Sequence, residues 1–170
     1  PGGTTLGDEI RELLLTYKIG NITPAAEALL FSASRAQLVA ELIRPGLEAG
    51  GIVICDRYSD STLAYQGYGR GLPVDELRTL TTFATGGLIP DLTFYLDIPV
   101  EVGLARRRKM EKELNRLDQE EISFHRRVRN GFLELANEGD RWVIINATQA
   151  PEVVQEAMWE VVKARLPFLL

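Results

Sequence analysis

Gly51-Ile52-Val53-Ile54-Cys55-Asp56-Arg57-Tyr58 is the stretch on which the fold turns. Its β-branched run, Ile52 to Ile54, reads as a buried strand. The strand delivers an acid and a base side by side at its C-terminal end, the edge where open α/β sheets bind ligands. Asp56 suits a magnesium ion held through water, because Mg²⁺ takes oxygen ligands and keeps part of its hydration shell. Arg57 presents a planar fork of donors that matches a phosphate. Metal and phosphate fork on adjacent residues point to phosphoryl transfer. An ion pair that merely closes a strand uses the same two residues, so the dipeptide alone leaves both readings open.

Working outward, strands alternate with helices. Leu6, Ile10, Leu13 and Leu14 recur at helical spacing through about Tyr17. Thr23 as N-cap and Pro24 at the first helical position open a long helix toward Ile43, which should break where Arg44 precedes Pro45. Pro73 to Thr85 reads as a helix with Leu77, Leu80, Phe83 and Ala84 inward and Gly86-Gly87 at its end. Leu92 to Leu96 is a second buried strand, ending at Asp97 before a helix that starts at Pro99. Trp142 to Ile145 is a third, followed by a helix burying Val153, Val154, Ala157, Met158, Val161 and Val162. With no hairpin signals, this order gives a parallel α/β sheet flanked by helices.

The 170 residues make one domain, residues 1–170, with a net charge of −5. That charge argues against a nucleic-acid partner, so any bound anion must meet a local basic cluster. The single Cys55 has no disulfide partner in the chain and reads as a packed, reduced thiol, in keeping with a cytoplasmic protein. No apolar run reaches membrane-spanning length. His125, the one histidine, has no nucleophile or metal-ligand partner nearby in sequence and is expected on a helix surface.

Phe31 and Arg35 stand four apart on the long helix and share a face. An aromatic plate beside a planar donor can stack on a base and hydrogen-bond its edge; a core Phe beside a solvated Arg fits the spacing equally. Tyr65-Gln66-Gly67-Tyr68-Gly69-Arg70-Gly71 has the composition of a flexible loop. Between Arg106 and Arg129 lie nine of the chain's nineteen basic residues, among them Lys109, Lys112 and Arg116. Five acids interrupt the run, as on an ordinary solvated helix face.

Asp56-Arg57-Tyr58 followed by Ser61-Thr62-x-Ala64-Tyr65-Gln66-Gly67 resembles the central signature of thymidylate kinases. So do Pro1-Gly2-Gly3-Thr4, Phe31-Ser32-Ala33-Ser34-Arg35, Pro90-Asp91-Leu92-Thr93-Phe94-Tyr95-Leu96-Asp97 and Glu113-Leu114-Asn115-Arg116-Leu117-Asp118-Gln119-Glu120. The motifs run in the family's order over nearly the whole chain. The resemblance implies the P-loop nucleoside-monophosphate-kinase fold, a five-stranded parallel sheet. It implies transfer of the γ-phosphoryl group of MgATP to dTMP in a homodimeric enzyme. Phe31 then lies over thymine with Arg35 on its carbonyl edge, while Gln66 contacts the base and Tyr65 crowds the sugar 2′ position. Ser61 and Thr62 help orient the nucleotide, Arg57 fixes its phosphate, and Asp56 anchors magnesium. A lid at about 106–120 brings Lys109, Lys112 and Arg116 to the ATP phosphates, and Ala147-Thr148-Gln149 lies beside adenine. The family's lid arginine position holds Glu111, which leaves Lys112 and Arg116 as the candidate catalytic cations.

Members of that family open with a strand and a Gly-x-x-x-x-Gly-Lys-Ser/Thr phosphate loop, then a second strand; no Gly-Lys-Ser or Gly-Lys-Thr occurs here. The expectation is a chain lacking that N-terminal part, inactive and unstable by itself. Two other functions stay open at this stage: a related deoxynucleoside kinase, and a nucleotide-binding fragment without catalysis.

Overall fold

The computed structural model describes residues 2–15, 20–110 and 114–166. Helix α1 (Thr5–Leu15) buries Ile10 and Leu14 against α2 (Pro24–Leu38), while Leu6 and Leu13 face outward. The Thr23 hydroxyl accepts from the Ala26 N–H at 3.4 Å, and Pro24 sits in the first turn, the arrangement expected of a helix start. The helix does not break at Arg44-Pro45 as expected. It widens into a π-helical turn over Val39–Ile43, where the Arg44 N–H reaches back to the Val39 carbonyl, and continues as α3 (Arg44–Glu48). Proline lacks an N–H and crowds the carbonyl four residues back. Here Pro45 falls in the first turn of the resumed helix, where that N–H is not needed.

Helix α4 (Ser59–Thr62) runs into a second π-helical segment, Leu63–Gly69. The composition read as a flexible loop is therefore buried helix, with Gln66 1% exposed. Its glycines serve close packing. A Cβ on Gly69 would stand 2.7 Å from the Phe124 ring. Next come α5 (Val74–Thr85), β1 (Thr93–Asp97), α6 (Val100–Met110), α7 (Ile122–Ala136), β2 (Trp142–Asn146) and α8 (Pro151–Arg165). Gly86 ends α5 in the left-handed conformation at φ 59°, which glycine adopts without steric cost.

Strands β1 and β2 pair in parallel, Thr93 opposite Trp142 through Asp97 opposite Asn146. The third expected strand is absent. Residues 51–55 have no regular structure, Ile52 is 64% exposed and Ile54 95%, and Cys55 is exposed, not packed. A strand exists only where a neighbour takes its N–H and C=O groups. Among the described residues none lies alongside this run, so its apolar side chains alone do not make it one.

The main core forms where α7 meets the Leu63–Gly69 segment. Phe124, Val128, Gly131 and Leu135 recur along one face of α7 and pack with Leu63, Ala64, Leu77 and Trp142. Tyr65 meets Phe124 and Phe132 edge-on at 6.1 and 6.2 Å, and Tyr95 stacks on Phe132 at 5.1 Å. Two core expectations fail. Phe83 points away from the body at 86% exposure. On α8 no residue is fully buried, and Val153 and Ala157 are exposed, because the helix lies against a sheet that is two strands wide among the described residues. His125 is half-buried, not superficial, and burial pushes its pKa down. No described helix is long and apolar enough to cross a membrane.

Arg129 clamps Asp97 at the end of β1 through two hydrogen bonds of 2.7 and 2.8 Å. Those bonds hold the Asp97 carboxyl below the usual carboxylate range, outweighing partial burial. A carboxyl depressed on folding stabilises the protein above its unfolded pKa, about 4, and loses that contribution as pH falls through the folded value. Urea melts at descending pH should therefore show a steeper loss of stability for the wild type than for Asp97→Asn. Parallel losses would mean the pair does not couple to folding.

Candidate active site

A cavity of about 430 Å³ opens between the start of α1, the middle of α2 and the bend at residues 54–57. Phe31 and Arg35 form part of one wall and Asp56 and Arg57 part of another. The four residues come from two separate stretches and meet here because α2 packs on α1 and α4, the helix that follows the bend. The volume lies within the usual range of small-molecule pockets, roughly 300–1,000 Å³.

Arg35 is 7% exposed, and its Nη1 donates to the Thr62 hydroxyl at 2.9 Å. Its guanidinium carbon lies 5.9 Å from the centre of the Tyr58 ring. Burial pulls the Arg35 pKa down to about 10, against the pull of Tyr58, Cys55 and Asp60, so the side chain keeps its charge at neutral pH. Arg57 has φ 67°, the one non-glycine residue in the left-handed region among those described. That conformation costs an L-residue roughly 1–2 kcal/mol. Such strain concentrates at ligand sites, where the surroundings hold a side chain in a required direction. The Arg57 guanidinium lies 5.0 Å from the Tyr65 ring centre.

The donor set fits a weakly held magnesium ion. Asp56 and Asp8 both line the cavity, yet no group of three or more His, Cys, Asp or Glu able to hold a metal occurs among the described residues. Mg²⁺ is commonly bound by one or two carboxylates and completes its shell with water and phosphate oxygens.

Other expected site residues lie outside the cavity lining. Thr62 is buried as the acceptor for Arg35, and Ser61 is half-buried beside it. Tyr65 belongs to the aromatic cluster under Arg57. Gln66 turns its amide Nε2 to Glu27, 2.8 Å away. Arg116 reaches inward, with Nε donating to the Leu14 carbonyl at 3.0 Å and Nη2 paired with Glu27. Arg70 also bonds Glu27, and pairs with Glu120 at 2.6 Å. Lys109 is exposed in the last turn of α6; Lys112 and Glu111 lie outside the described residues. The carbonyls of Ala147 and Thr148 accept from Arg106 at 2.7 and 3.0 Å, and Gln149 is exposed. Much of the basic run is thus committed to internal partners: Arg107 to Asp118, Arg127 to the Gly69 carbonyl, Arg129 to Asp97.

Sequence reasoning missed Asp8, Arg11 and Ser34 on the cavity wall. Asp8 and Arg11 are one turn apart on α1, and Ser34 stands one turn beyond Phe31, so helical spacing held the signal. The Ser34 hydroxyl is buried without a hydrogen-bond partner among the described residues.

Fold and cavity together define an α/β protein whose aromatic plate, buried guanidinium and acid–base pair surround a nucleotide-sized space. The family model described as thymidylate kinase matches residues 1–158. A thymidylate kinase of Thermomicrobium roseum is 56% identical over 163 residues, covering 95% of this chain and 77% of the relative. Those of Roseiflexus castenholzii and of Synechococcus sp. strain JA-2-3B'a(2-13) are 49% and 53% identical, each covering 98% of this chain and 78% and 79% of the relative. The chain belongs to the thymidylate kinase family.

Thr62→Val would leave an Arg35 N–H buried without its acceptor, at a cost of about 1–3 kcal/mol. Chemical denaturation should show that loss; an unchanged midpoint and slope would mean the bond contributes nothing.

Proposed function

We propose that this protein transfers the γ-phosphoryl group of ATP to the 5′-phosphate of dTMP, yielding dTDP and ADP. A phosphate oxygen of dTMP forms a new bond to the γ-phosphorus as the bond to the β–γ bridging oxygen breaks and ADP leaves. The observation that carries the reading is the meeting of Phe31 and Arg35 with Asp56 and Arg57 on one cavity. Family membership supports the same reaction. It also supports the P-loop nucleoside-monophosphate-kinase fold as the frame of the whole enzyme.

In this reading the thymine ring stacks on Phe31, and Arg35 donates to its carbonyl edge from a fixed position. Fixing matters because an arginine already desolvated and bonded to Thr62 loses little freedom on binding. Arg57 holds the acceptor phosphate, its fork pre-aimed by the left-handed backbone. Phosphoryl transfer depends on positioning and charge stabilisation, so these contacts supply catalysis as well as affinity. Asp56 would hold magnesium, which would supply charge neutralisation at the transferring phosphates. Ser61, Tyr65 and Gln66 complete the acceptor side. Lys109, Lys112 and Arg116 serve the donor phosphates, and Ala147, Thr148 and Gln149 the adenine.

A homodimer and a cytoplasmic location belong to the same proposal. Leu29 on α2 and Phe83 on α5 are 58% and 86% exposed on two helices that pack together, which supports an apolar contact between copies.

A coupled assay of ADP release with dTMP and with thymidine as acceptors, run on protein that includes the phosphate loop, tests the reaction. Turnover with dTMP alone is expected; turnover with thymidine alone would make the protein a nucleoside kinase. Arg57→Ala should lower kcat by at least a hundredfold, and near-wild-type turnover would remove it from the mechanism. Phe31→Ala should raise the KM for dTMP tenfold or more with a smaller change in kcat. An unchanged KM would contradict the stacking role.

A further inference from the structure

Glu27 has no exposed side-chain surface, yet it carries a full set of charged partners. Its Oε1 accepts from Gln66 Nε2 at 2.8 Å and Arg70 Nε at 3.3 Å, and its Oε2 accepts from Arg70 Nη2 at 3.3 Å and from Arg116 Nη2. Arg70 in turn pairs with Glu120, so two acids and two arginines balance. Burial pushes the Glu27 carboxyl up, but the bonds from Arg116, Gln66 and Arg70 outweigh it and hold the group below its ordinary range.

A buried ion cluster is a poor way to gain stability, since well-packed apolar residues often do as well or better. The placement of this one is more telling than its energy. Glu27, Phe31 and Arg35 follow one another at four-residue spacing, so the charge lies on the same face of α2 as the cavity residues, one turn before Phe31. Two of its partners, Gln66 and Arg116, are the groups assigned above to the acceptor base and the donor phosphates. They come from segments that sequence places 50 residues apart, and both end on this carboxylate.

We propose that Glu27 is a positioning residue for phosphoryl transfer: a single buried carboxylate on the substrate face of α2 sets Gln66 and Arg116 together, so that acceptor and donor ends of the site are built on one anchor. The inference rests on the dTMP kinase reading. Glu27 touches no substrate atom; it acts through the groups it holds. Glutamine here would keep the shape but release the arginines.

The test compares Glu27→Gln and Glu27→Asp with wild type in the dTMP and MgATP assay, alongside Leu135→Ala. Leu135 is a core residue of α7, 1% exposed and outside the site, so its truncation controls for lost stability. Both Glu27 variants should raise the KM for dTMP and the KM for ATP by tenfold or more, with Leu135→Ala lowering Tm but moving neither. Should Glu27→Gln fail to fold, Glu27→Asp carries the same expectation, because it keeps the charge and withdraws it by one methylene. Wild-type KM values in a Glu27 variant that melts early would reduce the residue to a structural ion pair and overturn the proposal. A rise in only one KM would overturn the shared anchor. If wild-type protein shows no turnover with dTMP, the kinase reading itself falls, a result distinct from either.

Discussion

A negative charge sealed inside the molecule is the constraint around which this structure is arranged. Glu27 can stay ionised there only because Gln66, Arg70 and Arg116 converge on it. That convergence draws two distant parts of the chain onto α2: the π-helical segment after α4 with the turn that ends it, and the segment beyond α6. Desolvating a carboxylate costs several kcal/mol unless hydrogen bonds and opposite charge replace water. The partners are therefore conditions of the fold. Their side chains cannot be moved singly without leaving a charge unpaired.

The same helix extends that order to the cavity. One turn beyond Glu27 stands Phe31, and one turn further Arg35, itself desolvated and tied to Thr62. Across from them the chain turns sharply at Asp56 and Arg57, with Arg57 in a backbone conformation that side chains avoid. Each of these features is costly alone. Together they put an aromatic face, a fixed cation, a carboxylate and a second cation around one space, the set that recognition of a nucleotide phosphate requires.

Helices with clear punctuation were legible in the sequence. Thr23-Pro24 and Gly86-Gly87 mark ends that the structure reproduces, and β1 and β2 lie within a residue or two of their apolar runs. The shared face of Phe31 and Arg35 followed from spacing, and the meeting of that pair with Asp56-Arg57 from the resemblance to the family. What failed were the features that depend on neighbours. Ile52 to Ile54 carries strand composition, but composition supplies no hydrogen-bond partner. The glycines at 67 and 69 looked like freedom and are close approach, because a missing Cβ serves either purpose and only the opposing side chains, Val74 and Leu77 at Gly67 and Phe124 at Gly69, decide. Arg116 read as a lid charge since nothing in a linear chain reveals that Glu27 faces it. Asp8, Arg11 and Ser34 were hidden for a simpler reason: none is unusual in a helix.

The central claim is spatial: a pyrimidine nucleotide sits in the cavity walled by α2 and the Asp56-Arg57 bend. A crystal structure of the protein with dTMP tests it directly. The account predicts the thymine ring stacked on Phe31, Arg35 within hydrogen-bonding distance of its edge, and the 5′-phosphate against Arg57. A nucleotide bound elsewhere, with Phe31 and Arg57 both untouched, would contradict it.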